Sequence, residues 1–188
     1  MLNQIAAIHG TGVAASTNSY ESIATLSGNG SSTTLSFTSI PSTYKHLQLR
    51  GVIRESSGGG TGDTFLGLQI NGNTGSNYAL HYIIGDGGSA SAAAGASQTR
   101  AYSGIGVQSG ATANLVGALV IDILDYQNTN KNKTIRVLSG DDRNGAGAIA
   151  LISGLWQSTT AINRVDVYSK DGQPLSTLSK VALYGIKG

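Results

Sequence analysis

Residues 114–126 read NLVGALVIDILDY, and this stretch decides the fold. Leu119, Ile121 and Ile123 alternate with Val120, Asp122 and Leu124. Apolar residues at period two, many of them β-branched, specify a β-strand rather than a helix. Both alternating sets are apolar up to Asp122, which predicts a central strand covered on both faces.

The rest of the chain supplies neighbours for that strand. Residues 46–54, HLQLRGVIR, place Leu47, Leu49 and Ile53 on one side and His46, Gln48, Arg50 and Arg54 on the other, as in a half-buried antiparallel strand. Further strand patterns occur at 20–26, 33–39, 65–70, 78–84, 99–107, 133–139, 148–156, 161–169 and 178–186. The run AIALISGLW at 148–156 is apolar enough to predict a buried strand. Turn residues separate the runs. Asn29-Gly30 and Asn71-Gly72 supply positive φ, the former in the manner of a tight hairpin, and Lys170 to Gln173 spell another hairpin turn. The stretch GDGGSASAAAGASQ at 85–98 is low in complexity and reads as a long surface loop. No convincing helix and no fixed-period repeat is visible. The expectation is all-β: one antiparallel β-sandwich, jelly-roll-like, of about 8–10 short strands over residues 20–188, preceded by an N-terminal arm over residues 1–19.

Composition narrows the function classes. The 188 residues contain no Cys, which excludes disulfides and thiolate metal sites within the chain. Charged residues make up 12%, about half the usual share. The formal net charge is +2, and the basic residues are scattered from Lys45 to Lys187 rather than gathered into a stripe, so no nucleic-acid partner is expected. No run is long enough to span a bilayer as a helix, and no signal peptide or membrane partner is expected. A surface rich in Gly, Ser and Thr with few charges fits large subunit contacts.

Chemistry-bearing patterns are sparse. His9, His46 and His81 lack metal-ligand spacing, and His46 and His81 read as solvent-facing or hydrogen-bonded strand histidines. Asp141-Asp142-Arg143-Asn144-Gly145 has the flavour of a Ca²⁺ loop but lacks its spaced ligands and closing Glu, and reads as a polar turn. No nucleophile elbow, phosphate-binding loop or zinc-protease motif is present, and no pair of carboxylates is marked for glycoside cleavage. The expectation is therefore no catalytic residue, no metal and no cofactor. Tyr78, Tyr82, Tyr102, Trp156 and Tyr168 are the rings that could stack on a sugar, although Trp156, closing an apolar run, reads as core. Leu2, Ile5 and Ile8 form a loose apolar series within the arm and are the expected docking contacts.

Six blocks taken together carry a resemblance: YESIAT at 20–25, FTSIPSTYKHLQLR at 37–50, NGNTGSNY at 71–78, IDILDY at 121–126, SGLW at 153–156 and LYGIKG at 183–188. In this order they resemble a family of virion proteins of tailed bacteriophages, common in aquatic phages, over residues 20–188. The resemblance implies a non-enzymatic β-sandwich on the outer surface of the particle, assembled as a homotrimer. Such proteins serve as capsid decoration (cement) proteins, whose partner is the major capsid protein, or as head or tail fibre domains. A fibre is expected to carry a shaft or coiled coil ahead of its tip, and no heptads precede residue 20. The expectation is a decoration protein, with a fibre or receptor-binding domain that contacts a host-surface glycan as the alternative.

Overall fold

The computed structural model describes residues 19–188. Twelve strands and no helix occupy them: β1 (Tyr20–Ser27), β2 (Thr34–Phe37), β3 (His46–Ile53), β4 (Asp63–Ile70), β5 (Tyr78–Gly85), β6 (Ala90–Gln98), β7 (Ala101–Val107), β8 (Gly117–Leu124), β9 (Lys133–Asp142), β10 (Gly147–Trp156), β11 (Val165–Ser169) and β12 (Lys180–Ile186). They form two sheets, one of eight strands in the order β1-β12-β3-β8-β9-β10-β5-β6 and one of four in the order β2-β11-β4-β7. Every strand pair is antiparallel. The pairs β3·β12, β4·β11 and β5·β10 nest inside one another and alternate between the sheets, which is the winding of a jelly roll.

The core lies between the sheets. Leu47, Leu49, Ile121, Ile123, Ile135, Val137 and Ile152 of the large sheet meet Leu66, Leu68, Ile70, Val165 and Val167 of the small one, all of them buried. Alternation delivers this face, because residues two apart on a strand point the same way. Trp156 is core as expected, and its ring stacks on buried Tyr78 with centroids 6.4 Å apart. The Tyr78 hydroxyl accepts the Ile70 N–H (3.0 Å) and donates to the Asn73 carbonyl (3.2 Å). Burial pushes that phenol up to about 12.

Two buried cations organise loops instead of pairing with carboxylates. Arg54 donates to the carbonyls of Ser109, Ala111, Thr112 and Leu115 at 2.7–2.9 Å and so fixes the approach to β8. Lys133 is fully buried, and its Nζ donates to the carbonyls of Asn128 (2.5 Å), Lys131 (3.1 Å) and Thr159 (3.1 Å). Burial, with Lys131 nearby, lowers its pKa.

Five expectations need correction. Residues 85–98 are not a loop: β6 occupies Ala90–Gln98 and pairs with β5, so the strands number twelve. Asn29-Gly30 and Lys170 to Gln173 turn the chain but make no hairpins, since β1 pairs with β12, β2 with β11, and β11 with β2 and β4 rather than with β12. The central strand β8 is buried on one face only: Leu119, Ile121 and Ile123 point inward, while Ala118 and Leu124 are exposed and Val120 half-buried. The same holds for β10, where Ala150 and Ile152 are buried but Ile149 and Leu151 are 61% and 53% exposed. Asn71 (φ 52°) and Gly72 (φ 66°) do form the expected tight turn, which carries the chain from the small sheet to the large one.

Candidate interaction surface

The side of the large sheet that faces away from the core is unusually apolar. The strand register stacks its side chains into rows that cross the sheet. In the central row Val120 lies opposite Leu138, Leu138 opposite Leu151, Leu151 opposite Ile83, and Ile83 opposite Ala92. The row beside it runs Ala118, Gly140, Ile149, Gly85 and Ala90. On the other side lies a polar row of Asp122, Arg136, Ser153 and His81, ending in Ala94. Ile83 and Leu138 are 57% and 52% exposed. A single apolar residue on a surface is ordinary, but a contiguous aliphatic row over five strands is not.

Over β10, β5 and β6 this face forms a groove of about 770 Å³, lined by His81, Ile83, Ala92, Ala94, Leu151 and Ser153 among others. The wall is low at β6 because ASAAAGASQ offers only small side chains before Gln98. The polar row is locally ordered: Asp122 Oδ1 accepts from Gln48 Nε2 at 2.6 Å, and Gln48 Oε1 accepts from Arg50 Nε at 2.5 Å. Arg136 and His81 are exposed. This arrangement has the means to bind an apolar partner with a polar rim.

The other candidates fall elsewhere. Leu2, Ile5 and Ile8 lie outside the described residues. His46 accepts the Asp125 N–H at its Nδ1 (2.9 Å), as expected of a hydrogen-bonded strand histidine, and His81 faces solvent. Asp125 is held below the usual carboxylate range by the Lys131 and Lys45 ammonium groups. The Asp141 carboxylate is buried and sits 2.8 Å from Arg143, which also approaches Asp63 at 3.4 Å. Burial raises the Asp141 pKa and the guanidinium opposes it. The 141–145 turn is thus organised around Arg143, and no group of three metal-ligating side chains occurs among the described residues. Glu55 is buried and accepts from the Ser169 hydroxyl at 2.6 Å, and burial lifts its pKa. Ser169 is itself buried and accepts the N–H groups of Asp171 and Gln173, so the pair anchors the turn that leaves β11.

The tyrosines do not make a sugar platform on the groove face. Phe65, Tyr82 and Tyr102 cluster at 4.7–6.1 Å between ring centres, Phe65 stacked on Tyr102 and Tyr82 tilted against both, and pack against the core side. Tyr168 lies under the Arg100 guanidinium, 5.8 Å from ring centre to carbon.

Sequence reasoning missed Ile83, Leu138, Ile149 and Leu151 as a surface. A signal is present in the sequence: both parity sets of β8 and β10 are largely apolar, a pattern that fits cover of the second face by the same chain or by another. Set against known proteins, the chain matches no family model, no curated protein and no solved structure.

Proposed function

We propose that this chain is a structural protein of a bacteriophage particle, a capsid decoration protein that binds the major capsid protein lattice from outside as a homotrimer and carries out no catalysis. The observation that supports it is the set of six sequence blocks. In three dimensions they converge on one end of the large sheet. Tyr20 lies opposite Ile186, Ile186 opposite His46, and Leu47 opposite Ile123. Thr134 bridges Leu124 and Leu155, and Trp156 lies opposite Tyr78. Blocks scattered over the sequence are therefore neighbours in space at that end of the sheet. A rigid antiparallel sandwich with few charges suits a module repeated over a lattice. The apolar series Leu2, Ile5 and Ile8 is assigned to capsid docking.

The alternative, a fibre or receptor-binding domain for a host glycan, draws less support. Sugars are bound by exposed aromatic faces and dense hydrogen bonding, whereas the open groove is lined mainly by aliphatic side chains. The deciding experiment is quantitative mass spectrometry of purified virions. A copy number approaching that of the major capsid protein is expected. A handful of copies per particle would instead assign the chain to a fibre or vertex, and absence from the particle would overturn both readings.

A further inference from the structure

We infer that the outer face of the large sheet is the contact through which copies of this chain associate, with the Val120–Leu138–Leu151–Ile83 row at its centre. The inference rests on the self-association in the reading above, but not on where in nature the assembly sits.

Three observations carry it. First, β8 and β10 have apolar residues on both sides, the pattern of strands covered on both faces, and the small sheet covers only one. Among the described residues nothing covers the other. Second, the area suffices. With strands about 4.8 Å apart and a rise of about 3.4 Å per residue, eight strands present a face of about 34 Å by 27 Å, on the order of 900 Å², of which the five strands that carry the apolar row supply about 500 Å². A stable interface takes about 800 Å² from each partner. Third, the sheet edge next to the groove is unguarded. Residues 90–95, ASAAAG, contain no charge and no Pro, and the register shift between β5 and β6 lies beyond them. The other edges carry protective features: β1 has a bulge and Glu21, β2 is four residues long, and β7 has an irregular register. A long unguarded edge is an invitation to further pairing unless another chain covers it.

The chemistry of the face selects a second copy over other occupants. Its apolar part is aliphatic, as in a sheet-on-sheet core. The row beside it places Asp122 directly opposite Arg136, so both signs lie next to each other. Adjacent charges of both signs let Asp122 of one copy face Arg136 of the next, so opposite charges align between copies around a closed three-fold ring.

The test is the solution mass, by light scattering at micromolar concentration, of the full chain and three variants. Wild type is expected at three times 19.1 kDa. Leu151→Glu and Leu138→Glu are expected to shift it to the monomer mass with an unchanged far-ultraviolet circular dichroism spectrum. Leu178→Glu, at an exposed apolar residue outside the rows, is expected to leave it unchanged. A monomeric wild type would overturn the inference, as would variants at Leu151 and Leu138 that stay associated. A monomeric wild type whose attachment to capsids is lost in Leu151→Glu would also overturn it and assign the face to a different protein. A monomeric wild type would remove this inference and the homotrimer together, while the wild-type copy number per virion judges the place of the chain on the particle independently.

Discussion

Tyr44 lies against the backbone of Gly185, where a β-carbon would fall 2.3 Å from two ring carbons. Both residues belong to the sequence blocks at the end of the large sheet, and their contact explains why glycine is needed at 185. Gly185→Ala is expected to cost about 1–3 kcal/mol, the usual range for overpacking. Urea unfolding measures it. In a Tyr44→Ala background most of that cost should vanish, because the clashing ring is gone; equal costs in both backgrounds would locate the strain elsewhere. Glu55 tests a different kind of residue effect. Burial raises its carboxyl above the ordinary 4.5, while hydrogen bonds from Ser169 and Thr64 oppose the shift. The folded state therefore holds this proton more tightly than the unfolded state, and the group's contribution to stability declines as pH rises through the window above 4.5. Glu55→Gln keeps the shape and cannot ionise. Relative to wild type it is expected to gain stability from acidic to neutral pH, read from urea midpoints at both. A difference that stays constant with pH would mean that Glu55 does not titrate in that window. Asp141 shifts in the same direction and Asp125 in the opposite one, so only the difference between variant and wild type isolates Glu55.

At the scale of the strand, β10 separates two kinds of apolar residue that look alike in sequence. Ile152 is 1% exposed and Leu151 53%. Ile152→Ala should cost about 2–5 kcal/mol through lost burial and a residual cavity. Leu151→Ala should cost the isolated chain under about 1 kcal/mol, as at other surface sites. Denaturant titration of both variants at low protein concentration checks the contrast, and comparable losses would mean that the outer face is covered within the single chain. The same strand shows how far sequence reaches. β3 was legible because its apolar and polar residues alternate cleanly, so its buried face could be named in advance. β10 and β8 were legible as strands but not in their exposure, because two apolar parity sets do not reveal whether the second is covered by the same chain or by another. β6 was not legible at all. Ala, Ser and Gly have weak strand preference and no alternation, and only pairing with β5 holds residues 90–98 extended. Asn29-Gly30 announced a turn, but the partner of β1 is the last strand of the chain, which no local signal encodes. The candidate surface was hidden for a related reason: Val120, Leu138, Leu151 and Ile83 come from four strands, and register alone aligns them.

For the whole molecule, the balance between the two sheets is the governing feature. An eight-stranded sheet is paired with a four-stranded one, so one broad face of the large sheet receives no cover from the small sheet. Low charge leaves little repulsion to keep copies apart. If copies close over that face, the folded state is linked to association, and its stability must depend on protein concentration. The thermal midpoint of wild type is then expected to rise with each tenfold increase in concentration. The Leu151→Glu variant, folded but monomeric, should unfold at a concentration-independent midpoint that lies below that of concentrated wild type. Differential scanning calorimetry over two decades of concentration reads both slopes. Parallel flat lines would mean that the large sheet is stable with its outer face open, and the apolar row would then need an explanation other than a second copy of this chain.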